Sequence, residues 1–377
     1  MILMRAKLKN LLIFDDFDMC TSYPKKIVDS SIAEEHLEGF PYFRYKKAIV
    51  LMGANATGKT ALGRVLGGIF NFIYNKEYQF ITSLVEDKRQ PAFFAVDLVL
   101  KGNTLCRVET TIKAKESAAA QYSSEDIQVA VSLEPILKMD SYERCANRLS
   151  AKSRTAEESY ITELEKVKGM SWMFEYPRDS AEIRKSSENM DMDLYVSVLE
   201  KTLKLLDPRI VSVVRVPETE NTCVILYRNQ DVILKDGRTL PPFILSGGTA
   251  EGIGIAEILA SMKMGLYDFY YCDEKFSHIH SDMERAFLSV FVDLLGKNRQ
   301  LIFTTHNTDV LEMDLPKHSF AFLKRTPGDK NTVSCVFASD YIKKAGASLK
   351  NAVENDLFSS APVVDGVFDF VSQEAAT

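Results

Sequence analysis

The chain has 377 residues, of which 46% are apolar and 26% charged, and its formal net charge is −6. This composition is typical of a globular protein with two domains or one large domain with an insertion. The net negative charge argues against a surface that is covered in positive charge for nucleic-acid binding. It leaves open the possibility of a local basic face. The six cysteines are scattered without a C-x-x-C pair, which favours reduced thiols over disulfides or a zinc site.

No part of the sequence indicates export or membrane insertion. Residues 1–7 carry charges and no small-residue cleavage site, so they do not resemble a signal peptide. No run approaches 18 uncharged apolar residues. We therefore expect a cytoplasmic protein with no membrane partner.

The first informative stretch has the spacing G-x-x-x-x-G-K-[ST] and consists of Gly53, Ala54, Asn55, Ala56, Thr57, Gly58, Lys59 and Thr60. It lies between an apolar run, 48–52, and an amphipathic run, 61–66, which predicts strand, loop and helix. Such a loop curls backbone N–H groups round a phosphate and directs a helix N-terminus at the same anion. Lys59 would reach the β- and γ-oxygens, and Thr60 would be a Mg²⁺ ligand. An ordinary turn does not need this Lys-Thr pair, so the stretch predicts binding of a nucleoside triphosphate.

Composition divides the chain into three segments. Residues 1–112 predict the N-terminal half of a domain, with a strand pair in 1–20, a surface loop in 21–46 and a hairpin over 91–112. Residues 113–206 are rich in Glu, Lys, Ser, Ala and Met and predict a helical insertion. Its expected helices are 123–148, 155–169 and 190–206. Residues 207–377 return to strands and predict the C-terminal half of the same domain.

A second anion site is predicted at the start of a helix near residue 247. Ser246, Gly247 and Gly248 place a hydroxyl and exposed N–H groups at that helix N-terminus. The chain already has one phosphate loop, so this turn makes sense if it caps the γ-phosphate held by another copy. The alternative is a plain Ser-Gly-Gly turn.

Two strand ends carry candidate catalytic groups. The apolar strand 269–272 ends in Asp273 and Glu274. Asp273 is suited to hold Mg²⁺, and Glu274 is suited to orient and deprotonate a water molecule. His306 follows the strand 300–304, where ligands bind in α/β sheets, so it can hydrogen-bond a γ-phosphate or serve a structural role. His278 and His280 are two residues apart without further ligands, and we predict no zinc there.

In order and spacing, these segments resemble the ABC-type ATPase heads of the SMC/RecF/OLD-like branch, especially compact ATPases of bacterial anti-phage systems. The resemblance covers about 1–110 and 210–340. It implies an α/β P-loop NTPase fold of ABC type, with a mixed central sheet, an antiparallel β arm and a helical insertion. It also implies ATP and Mg²⁺ as cofactors.

The resemblance also assigns roles. Lys59, Thr60, Asp273 and Glu274 would act in one copy, and the Ser246 turn would come from its neighbour. In this resemblance His306 matches the switch histidine, and 277–282 match the loop that crosses the dimer. Gln90 matches the magnesium-contacting glutamine, on the basis of this single residue. Thr249 replaces the usual Gln or Glu, and the carboxylate strand has Tyr271 and Cys272 instead of aliphatic residues. Slow or regulated hydrolysis is therefore expected.

The function that the resemblance implies is a Mg²⁺-dependent ATPase that forms a dimer or larger homo-oligomer through composite ATP sites. It would be the sensor of a two-gene anti-phage system, PARIS-like or Septu-like, and would control a separate nuclease or toxin. A phage-encoded trigger or DNA would be a further partner. No nuclease domain is expected in this chain, because 307–377 is short and lacks an acidic cluster. We interpret Asp191-Met192-Asp193 as a helix start.

Two alternatives stay open. One is a DNA-binding repair or clamp ATPase of SMC/RecF type, which requires a basic stripe, whereas Arg184-Lys185, Lys201 and Lys204 are scattered. The other is a scaffold with a degenerate site. The intact Lys59, Asp273 and Glu274 argue against the scaffold.

Overall fold

The computed structural model describes residues 1–28, 30–151, 158–176, 190–236, 238–240, 245–326, 332–342 and 348–358. Arg184-Lys185, named above for the basic stripe, and residues 359–377 lie outside these ranges. Within them, no helix is both long enough and apolar enough to cross a membrane.

The described chain contains both strands and helices, and several strands follow one another without a helix between them. The strands are β1 (Ile2–Lys9), β2 (Phe17–Cys20), β3 (His36–Leu37), β4 (Phe40–Arg44), β5 (Ala48–Met52), β6 (Ala92–Leu100), β7 (Thr104–Ile112), β8 (Ile127–Pro135), β9 (Trp172–Glu175), β10 (Ile210–Arg215), β11 (Thr222–Tyr227), β12 (Asp231–Lys235), β13 (Arg238–Leu240), β14 (Phe269–Asp273), β15 (Gln300–Thr304), β16 (Phe320–Thr326) and β17 (Thr332–Phe337). The α-helices are α1 (Lys59–Asn75), α2 (Gln79–Ser83), α3 (Tyr142–Ala151), α4 (Tyr160–Leu164), α5 (Met192–Leu206), α6 (Gly247–Met264), α7 (Ser281–Leu294), α8 (Ala338–Tyr341) and α9 (Leu349–Glu354).

The strands form one mixed sheet and three antiparallel ones. The mixed central sheet has the order β17-β16-β5-β15-β14-β9, in which all neighbours are parallel except β17. A five-stranded antiparallel sheet has the order β2-β1-β6-β7-β8. The strands β10 to β13 form a four-stranded antiparallel sheet, and β3 pairs with β4.

The central sheet is covered on both faces, which explains why its strands are apolar without alternation. Side chains of β5 alternate between two cores: Ile49 and Leu51 pack with α1 and the five-stranded sheet, whereas Val50 and Met52 pack with α5, α6 and the four-stranded sheet. Helix α1 therefore lies between two sheets. This burial accounts for its apolar sequence on nearly every side.

The fold class predicted from the sequence is confirmed: it is α/β, with a mixed central sheet and an antiparallel β arm. The arm is the β6–β7 hairpin, whose turn has Gly102 (φ +86°) and Asn103 (φ +54°) in the left-handed region. The predicted helix start at Asp191 is also confirmed, because its side chain accepts hydrogen bonds from the N–H groups of Asp193 and Leu194.

Two expectations about local structure are wrong. The predicted helix over 123–148 contains β8, which extends the five-stranded sheet, and only its last part belongs to α3. The predicted surface loop over 21–46 contains β3 and β4, with Phe43 and Tyr45 fully buried. In both cases pairing with a neighbouring strand outweighs local composition, and β8 alternates inward and outward residues along the edge of the five-stranded sheet. The division into segments 1–112, 113–206 and 207–377 stays a prediction.

Candidate functional site

The loop 53–58 follows the fully buried strand β5 and leads directly into α1. Gly58 is the residue before the helix and has φ +104°, a conformation that favours glycine. A Cβ atom there would lie 2.4 Å from Cδ1 of Ile13, in the turn between β1 and β2. The loop thus lies against the β1–β2 turn, and a larger residue at 58 would require a strained backbone and a shift of the Ile13 side chain.

Two buried tyrosines fix α1 on the central sheet. The Tyr271 hydroxyl, from β14, donates to the carbonyl of Lys59 at 2.7 Å, and the Tyr176 hydroxyl donates to the carbonyl of Gly63 at 2.9 Å. A Cβ atom on Gly63 would lie 2.6 Å from Cε1 of Tyr271. The close approach of helix and strand therefore requires glycine in the helix. It also gives the unusual tyrosine of β14 a role that an aliphatic side chain cannot fill.

Lys59, Glu274 and His306, which the sequence analysis proposed as catalytic groups, lie close together in one chain. The Lys59 ammonium donates to the carbonyl of Gly53 at 2.9 Å and lies 3.3 Å from Oε1 of Glu274. The other carboxylate oxygen of Glu274 lies 3.2 Å from Nε2 of His306. The Glu274 carboxylate is therefore between the loop lysine and the histidine that follows β15.

Asp273 lies in the same cluster and is completely buried. Its partner in the parallel β14–β15 ladder is Thr304, whose hydroxyl donates to Asp273 Oδ1 at 2.6 Å and accepts from the N–H of Glu274 at 3.0 Å. Within the described residues, Asp273 Oδ2 has no hydrogen-bond partner. Burial raises the pKa of Asp273, and the Thr304 and Thr60 hydroxyls oppose that rise. An unpaired buried carboxylate oxygen beside the Thr60 hydroxyl fits a divalent cation.

The predicted second anion site, the turn at Ser246, forms the start of α6 but contacts other residues than the loop 53–60 does. Ser246 caps α6 by accepting from the N–H of Thr249 at 3.3 Å, and the two hydroxyls lie 2.6 Å apart. Thr249 also donates to Asp207 at 3.3 Å. Across the described part of the chain, Ser246 has no hydrogen bond to the loop 53–60.

The glycines of this turn pack on the segment after Glu274. A Cβ atom on Gly247 would lie 2.8 Å from the ring of His278, and one on Gly248 would lie 3.4 Å from its carbonyl oxygen. Glu251, one turn into α6, accepts from the Ser277 hydroxyl and the His278 N–H, and lies 2.7 Å from Nδ1 of His278. His278 and His280, for which the sequence predicts no zinc, thus have different contacts. His278 lies beside Glu251, and His280 caps α7 by accepting from the N–H of Asp282.

Gln90, proposed as a magnesium-contacting residue, lies in an exposed turn before β6. Its amide donates to the Asp87 carboxylate at 3.4 Å, and its carbonyl accepts from Asn10 at 3.1 Å. In the described structure no hydrogen bond joins it to Thr60 or Asp273. Its assignment as a metal ligand stays a prediction.

A cavity of about 290 Å³ opens beside the Glu274 carboxylate, and its wall includes Ser277, Ser281, Glu284 and His306. Sequence reasoning missed Glu284, Glu251 and Thr304. For Glu284 a signal was present, because it lies on the apolar stripe of α7 with Phe287, Leu288 and Phe291 at helical spacing. An acidic residue on a buried stripe indicates a partner inside the protein.

No family model and no curated protein matches this chain in sequence. Several solved structures are similar in fold. The SMC head domain from Thermotoga maritima has 14% identity and a TM-score of 0.41, over 89% of this chain and 99% of that one. An Smc head bound to the C-terminal domain of ScpA, derived from Pyrococcus furiosus, has 11% identity and a TM-score of 0.48, over 94% and 98%. The recombination mediator protein RecF with ATP has 10% identity and a TM-score of 0.46, over 89% and 99%. At these identities and TM-scores the likeness concerns the fold alone.

Proposed function

We propose that this protein is a Mg²⁺-dependent ATPase of ABC type whose complete sites form between two copies of the chain. The observation that carries the proposal is the convergence of Lys59, Asp273, Glu274 and His306 on the loop 53–60. Three separate chain segments supply these groups, and each lies at or shortly after the end of one of three parallel strands, β5, β14 and β15, in the mixed central sheet. An arrangement of this kind is what phosphoryl transfer requires, namely positioned charge around a phosphate.

The phosphate would lie at the N-terminus of α1. There the helix supplies unpaired N–H groups and the positive end of its dipole. The Lys59 ammonium, now bonded to the Gly53 carbonyl and Glu274, would turn to the β- and γ-oxygens. Because Lys59 is only 4% exposed, its charge would act in a medium where electrostatic interactions are strong.

Thr60 and Asp273 would hold the Mg²⁺ ion, which when bound neutralises charge on the phosphate oxygens. The residues present fit it, because Asp273 offers a buried oxygen with no protein partner among the described residues. The Thr304 hydroxyl fixes the other oxygen and therefore sets the direction in which the carboxylate points.

Glu274 would take the proton of the attacking water, as its carboxylate lies next to the cavity and within reach of the phosphate loop. Its backbone has φ +44°, an uncommon conformation for a non-glycine residue, and its N–H is bonded to Thr304. His306 lies on the opposite side of the carboxylate and would contact the γ-phosphate. Lys59 and His306 thus contact the Glu274 side chain, and Thr304 holds its backbone.

The Ser246 turn would complete the site of a neighbouring copy. The turn has the geometry of an anion site, a capped helix N-terminus, yet among the described residues it has no hydrogen bond to the phosphate loop of its own chain. Both features are accounted for if the anion is held by the phosphate loop of a second chain.

Complementation between two inactive variants tests this arrangement. Lys59→Ala removes the phosphate lysine, and Ser246→Arg blocks the turn; each alone should reduce turnover at least about 100-fold. Mixed in equal amounts, they should recover up to about a quarter of wild-type turnover, because half of random dimers are mixed and each then has one complete site of two. Melting temperatures control for folding, because Ser246 also caps α6. A mixture no more active than its components would refute the composite site.

For the biological role, we propose a regulatory ATPase of an anti-phage system that controls a separate nuclease or toxin. The segment 113–206 would be the partner surface, and its exposed apolar side chains include Leu137, Met139 and Ile161. The second candidate is a DNA-binding clamp of SMC/RecF type. Lys204 is paired with Glu200 at 2.7 Å, which weakens the case for a basic stripe on α5.

Purification from the native host, followed by a duplex-binding assay, separates the two roles. A co-purifying nuclease or toxin would support the regulatory role. ATP-stimulated duplex binding that weakens steeply with salt would instead support the clamp.

A further inference from the structure

Glu284 is a buried carboxylate that the proposed phosphate chemistry does not use directly. It is 5% exposed and lies on α7 beside the apolar residues Phe287 and Leu288. A charged group in such a place is costly unless each oxygen is hydrogen-bonded. The partners of Glu284 therefore indicate why the residue is there.

Both oxygens of Glu284 are bonded to the segment that carries His306. The Thr305 hydroxyl donates to Oε1 at 2.6 Å, and the Asn307 amide donates to Oε2 at 2.7 Å. The N–H of Asn307 also bonds the Thr305 hydroxyl at 2.9 Å, which closes a ring of contacts. One carboxylate thus holds the residues immediately before and after His306.

His306 itself is half-exposed. Its ion-pair contact among the described residues is Glu274, at 3.2 Å, and the Glu284 carboxylate is also near enough to interact with it electrostatically. A side chain with so few contacts of its own takes its position from its backbone. That backbone is fixed on one side by Thr305 and on the other by Asn307, whose amide additionally donates to the Ser281 hydroxyl at 2.8 Å. Glu284 is the group common to both sides.

We propose that Glu284 is a positioning residue that acts through His306, by fixing the turn 305–307 so that the imidazole faces Glu274 and the γ-phosphate. This inference depends on the proposed ATPase function. Glu284 also lines the cavity next to Glu274, so its carboxylate and His306 belong to one wall. Removing the carboxylate would leave ATP binding at the loop 53–60 intact and would loosen the histidine.

A double-mutant cycle tests the proposal, with steady-state turnover and nucleotide affinity measured on the full chain. Glu284→Ala should lower kcat about 10- to 100-fold, as is typical for groups that orient a reacting residue, and change ATP affinity less than about threefold. Glu284→Gln should lose less, since its amide oxygen still accepts one of the two bonds. In a His306→Ala background, Glu284→Ala should have almost no further effect.

Asp293→Asn is the matched control, because it removes an exposed carboxylate from the same helix and should leave kcat unchanged. If Glu284→Ala does not fold, Thr305→Val removes one of the two bonds at similar volume, and its loss of kcat should likewise vanish in the His306→Ala background. Equal losses of kcat in both backgrounds would overturn the inference and leave the ATPase proposal intact. Absence of any ATP turnover in the unaltered protein would overturn both.

Discussion

The loop 53–60 and the Ser246 turn are both helix N-termini suited to anions, but the protein treats them differently. The first is surrounded by charged groups of its own chain: Lys59 lies 3.3 Å from Glu274, which in turn lies 3.2 Å from His306. The second is packed on His278 and bonded to Thr249. Parallel strands end at one edge of a sheet and bring their following residues together, which explains the first cluster. In the described part of the chain the Ser246 turn does not follow a strand of that sheet, so it does not join this cluster.

The largest effect expected at the first cluster is that of Glu274→Gln. Losing the base should reduce phosphate release about 10²- to 10⁴-fold, whereas ATP should still bind and hold the copies together. Mass in solution with ATP, measured alongside phosphate release, checks both parts. Glu354→Gln, an exposed substitution on α9, is the control. Unchanged turnover would remove Glu274 from its assigned role.

Asp273→Asn should have a smaller effect, on stability and with a defined pH dependence. The raised pKa of Asp273 means that its contribution to stability is present below the ordinary aspartate pKa and is lost as pH rises through the raised value. Without Mg²⁺ or nucleotide, the variant should therefore be more stable than wild type at pH 7, and the gain should shrink towards pH 4.

Urea unfolding at the two pH values measures this difference, with Asp293→Asn as an exposed control. Added Mg²⁺-ATP should stabilise the wild type and not Asp273→Asn. If the variant is less stable than wild type at pH 7 without Mg²⁺, burial of the charged Asp273 carboxylate does not destabilise the folded protein.

The smallest expected effect is on stability and concerns the Ser246 turn. Gly247→Ala places a Cβ atom 2.8 Å from the His278 ring, which must move away from Glu251, at a cost of about 1 kcal/mol. His278→Ala should remove most of that cost in the double variant, as measured by thermal melting. Additive losses would mean that the turn is not packed on His278 in solution.

Much of the candidate site was predictable because its signals are local. The spacing of Gly53, Gly58 and Lys59 specifies a phosphate loop without any knowledge of contacts. Apolar strands ending in Asp273-Glu274 or before His306 specify where those groups emerge, and the structure brings them together as expected. The β6–β7 hairpin and α5 were predictable for the same reason, since turn residues and helix caps act within a few residues.

The parts that failed have two causes. Composition predicted a helix for the segment that contains β8, whereas the alternation of Ile127, Val129, Val131 and Leu133 is a local strand pattern, and β7 pairs with it along its length. The other failures depend on distant segments. Glu284 and Thr304 have roles only because α7 and β14 pack beside the residues they bond. No local pattern states which side chain another element will present.

By itself, the sequence determined the phosphate loop, the paired carboxylates, the capped Ser246 turn and the α/β class, because each follows from backbone preferences or spacing within a short stretch. Tertiary structure decided what those groups contact. It put Glu274 between Lys59 and His306, left one oxygen of Asp273 without a partner in the described chain, and packed the Ser246 turn on His278. The physical reason is that burial and hydrogen-bond satisfaction are properties of the assembled core, where residues hundreds of positions apart compete for the same space.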